Sequence, residues 1–152
     1  MEWILIESDQ DIMNIQKRYG NFLDAEIVNF RYESGNYVDS DLRGHEYMKN
    51  ELHVIFQRMD ENPFAIEVVF EEMRYIHFHA AMMDETSSDI LYAQFIKTKD
   101  FIYWTNLRMF DPEDIPEYLA GGKMFIEAKR AKWRVVSEKG ESISKPWLDE
   151  EY

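Results

Sequence analysis

Two histidines separated by one residue, His77 and His79, are the sharpest chemical feature of the sequence. Side chains two apart on a strand share a face, so both imidazoles can chelate one metal ion if this stretch is extended. His53 and the carboxylate of Asp84 are further candidate ligands. One hypothesis is therefore a metal site. The alternative is a pair of solvent-facing histidines on an amphipathic strand, because ligand spacing without a firm third ligand is common.

The His-x-His pattern followed by an acid resembles the metal motif of cupins, in which a small β-barrel holds the ion. The resemblance covers this short stretch alone, and the glycines that bracket the cupin motif are absent. It implies a metal-dependent β-barrel enzyme that uses His77 and His79.

Other catalytic signatures are missing from the sequence. There is no cysteine and no Gly-x-Ser-x-Gly elbow that would present a nucleophilic serine. Gly121-Gly122-Lys123 lacks the spacing of a phosphate-binding loop. The adjacent carboxylates of Glu71 and Glu72 can act as acid and base only if a cleft desolvates them. A non-enzymatic protein without a cofactor is therefore the favoured prediction.

Charge and tyrosines point to a binding surface instead. The formal net charge is −13, and residues 1–72 hold 16 acidic and 6 basic side chains. Such a field repels nucleic acid and anionic membranes and attracts cationic partners. The candidate partner-binding residues are Tyr37, Asp39, Asp41, Glu46, Tyr47, Asp60 and Glu61. The alternative is that the acids serve solubility alone.

One basic cluster surrounds Trp133 and consists of Lys129, Arg130, Lys132 and Arg134. Interleaved bases and aromatic rings can bind nucleic acid, but the global charge opposes this. We expect these cations to pair with acids on a neighbouring strand.

Periodicity predicts the elements that position these residues. An apolar stripe predicts one helix over residues 9–19, with Ser8 or Asp9 as its N-cap and Gly20 as its stop. Alternating runs predict strands over residues 24–33, 52–56, 65–70, 74–79, 90–96, 101–105 and 124–136.

Several irregular stretches separate or interrupt these runs. Glu71-Glu72-Met73 is predicted to separate two adjacent antiparallel strands. Residues 37–50 and 82–88 are predicted to be surface loops, and a phase change near Lys129 predicts a bulge.

The predicted fold is a single α+β domain over residues 1–152. It has about seven or eight mostly antiparallel strands, in a sandwich or a strongly curved sheet, with one N-terminal helix. The polar tail from residue 137 is expected to fray. The lack of cysteine, signal peptide and apolar span predicts a cytoplasmic protein with no membrane segment.

A family resemblance rests on five stretches of the sequence: Tyr19–Ala25, Phe30–Asp39, Ile66–Phe70, Phe110–Pro112 and Ala131–Arg134. Together they resemble a group of small uncharacterised bacterial proteins, some of which are similar to immunity proteins that accompany toxins. The resemblance implies a cytoplasmic inhibitor of a cognate toxin domain, and the acidic charge suits a basic target.

The sequence therefore predicts, first, a binding protein that occludes a basic protein partner. The cupin-like enzyme is the second hypothesis, and a structural or oligomer-forming domain is the third.

Overall fold

The computed structural model describes residues 2–79, 89–118 and 123–139. The strands of these ranges are β1 (Ile4–Leu5), β2 (Ala25–Glu33), β3 (Tyr37–Val38), β4 (Gly44–His45), β5 (Glu51–Arg58), β6 (Ala65–His77), β7 (Gln94–Lys97), β8 (Ile102–Thr105) and β9 (Phe125–Ser137). The α-helices are α1 (Asp9–Arg18) and α2 (Ile115–Tyr118), and short 3₁₀ turns lie at Gly20–Phe22 and Pro112–Asp114. No helix in the described ranges has the length and apolar character needed to cross a bilayer.

Seven of the strands form one antiparallel sheet in the order β2-β5-β6-β9-β8-β7, with β1 paired to the later half of β9. Phe56 of β5 and Trp104 of β8 have ring centroids 5.4 Å apart, although their strands lie three positions apart in the sheet. Three strand spacings in a flat sheet span about 14 Å, so the sheet curls strongly. The predicted α+β, mostly antiparallel fold is confirmed, as a curved open sheet with edges β2 and β7.

Helix α1 covers the concave face of the sheet. Ser8 begins it with a capping box, in which its side chain accepts from the backbone N–H of Asp11 and the Asp11 carboxylate accepts from the Ser8 N–H. Gly20, at φ +59°, ends the helix as predicted. Behind it, Ile15 and Phe22 are fully buried, and Phe22 contacts rings on β5, β7 and β8. The hydrophobic core therefore fills the concave side.

The side chain of Gln16 protects one edge of the sheet. Its amide donates to the carbonyl of Ala93 at 2.9 Å and accepts from the N–H of Phe95 at 3.1 Å. A helix side chain thus makes the two hydrogen bonds that a further strand would make at this edge of β7.

The predicted break at Glu71-Glu72-Met73 is wrong, because β6 continues unbroken through it to His77. The strand bends instead of turning: Glu72 has φ +49°, and the register against β9 shifts just after Met73. On β9, Ala128 and Ala131 both face the core, so the phase change predicted near Lys129 is confirmed. Both strands change phase at the same level, which keeps them paired.

The predicted loop over residues 37–50 also contains regular structure, since β3 and β4 form a separate two-stranded sheet within it. The predicted strand over residues 90–96 is shorter than expected, and Ile90 makes one bridge to Ala25 instead. The predicted acidic loop at 82–88 and most of the polar tail lie outside the described residues.

Candidate functional site

The predicted partner-binding residues fall at two ends of one strand. Tyr37, Asp39, Asp41, Glu46 and Tyr47 lie within residues 34–50, here named the tyrosine hairpin, which joins the end of β2 to the start of β5. Asp60 and Glu61 follow the other end of β5. Eight residues of strand span about 26 Å, so the seven residues do not form one surface.

Backbone contacts hold the base of the tyrosine hairpin. The carbonyl of Ser34 accepts from the N–H groups of Lys49 and Asn50, at 2.7 and 3.2 Å. Gly35 has φ +78°, and a Cβ there would approach the Cβ of Lys49 to 2.8 Å, so only glycine fits. The carbonyl of Asn50 in turn accepts from the N–H of Met73 at the bend of β6. The hairpin is therefore anchored to the sheet.

Three rings stack along the hairpin. Tyr37 lies between His45, with centroids 4.6 Å apart and planes 10° apart, and Tyr47, at 5.9 Å and 17°. The stack stays open to solvent, with Tyr37 50 % and Tyr47 68 % exposed. Exposed, pre-ordered tyrosines offer a partner a large contact area at little entropic cost.

Asp39 builds the turn of the hairpin. Its Oδ1 accepts from the N–H groups of Asp41 and Arg43, and its Oδ2 lies 2.7 Å from Nε2 of His45. The hydrogen bond from His45 and those from the backbone lower the pKa of Asp39. Both oxygens of this carboxylate therefore accept hydrogen bonds within the hairpin, and the carboxylate stabilises the turn.

The remaining acids of the hairpin face solvent. Within the described part of the chain, the carboxylates of Asp41 and Glu46 have no hydrogen bond or ion pair. Beside them, Val38, Leu42 and Met48 are exposed apolar side chains. The hairpin thus presents exposed rings, exposed aliphatic side chains and two free carboxylates, which suit a partner that offers both apolar and cationic side chains.

Two of the predicted metal ligands, His53 and His77, lie far apart. His53 pairs with Val69 on β6, whereas His77 lies eight positions further along that strand, about 25 Å away. Nδ1 of His77 lies 2.6 Å from the carbonyl oxygen of Lys123, and its ring stacks on Phe125. Asp84 lies outside the described residues, and His79 follows the end of β6. The open sheet also differs from the closed barrel that the cupin resemblance implies.

His53 instead belongs to a polar cluster on the convex face, here named the convex network. Its Nδ1 lies 2.7 Å from Oε1 of Glu67 and its Nε2 lies 2.7 Å from Oε1 of Glu51. Oε2 of Glu67 accepts two hydrogen bonds from Arg134, at 2.7 and 3.0 Å. Burial raises the pKa of Glu67, but the hydrogen bonds from His53 and Arg134 outweigh it, so the net shift is downward.

The convex network continues onto β2 through a lysine. Nζ of Lys49 lies 3.1 Å from Oε2 of Glu33 and 3.6 Å from Oε2 of Glu51. The hydrogen bond and the charge of Lys49 lower the pKa of Glu33. Strand register places Glu33 opposite Glu51, and alternation puts His53 on the same face. The alternation of side chains along a strand is enough to predict from the sequence that Glu51 and His53 are neighbours. The position of Glu33 beside them depends on the pairing of β2 with β5, which the sequence does not show.

No family model, curated protein or solved structure matches the chain.

The basic cluster around Trp133 pairs across strands, as predicted. Arg130 lies 2.6 Å from Glu72, and Lys132 lies 3.6 Å from Glu71. Trp133 is buried in the core, so it has no free face on which a base could stack. Glu71 and Glu72, considered above as an acid–base pair, are instead partners of these cations.

A tyrosine–carboxylate pair lies on the convex side of β8 and β9. Tyr103 donates from its hydroxyl to Oε1 of Glu127 at 2.5 Å. Oε2 of Glu127 is buried without a hydrogen-bond partner among the described residues, and Nε of Arg74 lies 3.7 Å from it. Burial, and then the bond to Glu127, raise the pKa of Tyr103. The hydroxyl therefore stays protonated and joins the two strands.

Proposed function

We propose that the protein is a non-enzymatic binding protein that occludes a basic protein partner with its tyrosine hairpin. The observation that carries the proposal is the open stack of Tyr37 between His45 and Tyr47, held on a braced element outside the main sheet. Rigid aromatic anchors dominate the energetics of many protein interfaces.

Two free carboxylates of the hairpin support a basic partner. Asp41 and Glu46 are free to pair within the described residues, whereas several carboxylates of the described sheet already pair with Lys or Arg of the same chain. Free carboxylates on the same element as exposed rings favour a partner that offers both cations and apolar surface. Asp60 and Glu61 lie too far away to contribute to the same contact.

The proposed biological role is that of an immunity-type inhibitor. It rests on the sequence resemblance and on the acidic net charge of −13 together. In that role the protein acts in the cytoplasm and blocks the active site of a basic toxin domain before the toxin harms its own producer.

Capture from the cells that produce the protein tests the proposal. Tagged wild type is compared with the double variant Tyr37→Ser/Tyr47→Ser, and with Tyr75→Ser as the control, because Tyr75 is equally exposed but lies on β6. We expect a basic protein that wild type and control recover in equal amounts and that the double variant loses.

Two outcomes of this comparison contradict the proposal. One is recovery of the same proteins by all three forms. The other is a wild-type dimer that the double variant turns into a monomer, which would assign the hairpin to self-association instead.

A further inference from the structure

The convex network contains a set of side chains suited to a metal ion. Glu33, Glu51 and His53 each offer one ligand atom, and these atoms lie within 4.8 Å of one another. All three stand on the paired strands β2 and β5, which fixes their backbones. Two carboxylates and one imidazole form a ligand set that borderline divalent ions such as Zn²⁺ accept.

The imidazole is already oriented for such a role. Nδ1 of His53 faces Glu67, which two hydrogen bonds from Arg134 hold in place, so Nε2 points toward Glu51. A carboxylate behind the non-ligating nitrogen is the usual means of orienting a metal-binding histidine. The side chains of His53 and Glu67 are 13 % and 9 % exposed, so water screens them little.

A cation of the chain itself already lies at this position. Nζ of Lys49 lies between the carboxylates of Glu33 and Glu51. The side chain of Lys49 is 48 % exposed, and the side chain of Glu33 is 39 % exposed, which leaves the cluster open on that side. Lys49 can therefore withdraw into solvent and leave two carboxylates for another cation.

We propose that Glu33, Glu51 and Nε2 of His53 bind one divalent transition-metal ion. The ion displaces the ammonium group of Lys49 and the proton that Nε2 donates to Glu51, and both the proton and the lysine head group go to solvent. Glu67 and Arg134 act as positioning residues behind His53. The site differs from the one that the sequence suggested, because His77 and His79 take no part. The site uses none of the rings of the tyrosine hairpin, although Lys49 belongs to that hairpin.

Titration of the purified protein with ZnCl₂ in a calorimeter tests the site. We expect one ion per chain for wild type. Lys49→Met should bind about tenfold more tightly, because the competing charge is gone, and His53→Asn should bind at least about tenfold more weakly. Glu33→Gln is a second loss variant, and its exposed side chain makes misfolding a small concern.

The double variant His77→Asn/His79→Asn is the matched control and should bind like wild type. Three results would overturn the proposal: no heat from wild type at millimolar zinc, unchanged binding by both His53→Asn and Glu33→Gln, or loss of binding in the control. Circular dichroism confirms that each variant is folded.

Discussion

Individual carboxylates of this chain have distinct roles that their residue type does not reveal. Asp39 folds the turn of the tyrosine hairpin, whereas Asp41, two positions on, faces solvent. Glu67 is nearly buried and links His53 of β5 to Arg134 of β9. The neighbours of each acid determine whether it stabilises the fold or remains free to bind a partner.

Substitution of Glu67 tests the convex network. Glu67→Gln removes the charge that His53 and Arg134 share, so we expect about 2 kcal/mol less free energy of unfolding at pH 7. The folded-state pKa of Glu67 lies below its ordinary value of 4.5. Its stabilisation is therefore complete above about pH 4.5 and is lost as the pH falls through the folded-state pKa.

Urea denaturation of wild type and Glu67→Gln between pH 7 and pH 3 measures this effect. The difference in the free energy of unfolding between wild type and Glu67→Gln should decrease as the pH is lowered. Glu46→Gln is the control and should match wild type throughout. A difference that does not change with pH would show that the charge of Glu67 is not what stabilises the sheet.

Substitution of Asp39 separates the fold of the hairpin from its surface. Asp39→Ala removes the acceptor of two backbone N–H groups, so we expect the amides of Asp41 and Arg43 to exchange at least about fivefold faster, as expected for about 1 kcal/mol. Asp41→Ala leaves those bonds in place and should keep the exchange slow. Equal exchange in both variants would contradict the turn-building role of Asp39.

Among the helices and strands, side-chain hydrogen bonds and ion pairs supplement the backbone pairing of the sheet. The amide of Gln16 makes two hydrogen bonds to the edge of β7, and charged pairs bridge β6 and β9 where both strands bend. Neither feature follows from helix or strand propensity, because each depends on which elements become neighbours.

The role of Gln16 can be measured against a second glutamine on the same helix. Gln16→Met loses both bonds at the edge of β7, together with a third that the amide donates to the side chain of Asn21, so we expect the free energy of unfolding to fall by about 1–2 kcal/mol. Gln10→Met should change it by less than about 0.5 kcal/mol, because Gln10 is exposed and bonds only to Asn14 within the described structure. Equal losses in the two variants would show that the edge needs no such protection.

The local elements could be predicted from the sequence more fully than their arrangement. Helix α1 follows from its apolar stripe with Ser8 before it and Gly20 after it. The bend of β9 follows from a change of phase that the sequence shows directly. These signals come from residues that are close to one another in the chain, so they can be recognised in a single sequence.

Predictions that needed long-range pairing failed or stayed incomplete. The polar run at Glu71-Glu72 suggested a turn, but its charges face cations of β9, so the strand continues. The predicted partner-binding set combined both ends of β5, because it was chosen by residue type, and the strand separates its two groups by about 26 Å. Glu33 joined Glu51 and His53 only once the register of β2 was known.

At the scale of the whole molecule, curvature separates three surfaces. The concave face is filled by the core and α1, the convex face carries the paired charges, and the tyrosine hairpin forms its own small sheet at the start of β5. The net negative charge of the whole chain attracts cationic partners from a distance. We expect such a partner to bind at the tyrosine hairpin, because the hairpin has both free carboxylates and exposed rings.

Recognition through the tyrosine hairpin is tested by the rate at which the captured partner associates at low and at high ionic strength. Asp41→Lys/Glu46→Lys should slow association about tenfold at low salt and flatten its salt dependence, because these carboxylates steer the encounter. Asp60→Lys/Glu61→Lys, the same charge change at the far end of β5, should leave the rate within about twofold of wild type. Equal slowing by both pairs, or none by the first, would contradict recognition through the tyrosine hairpin.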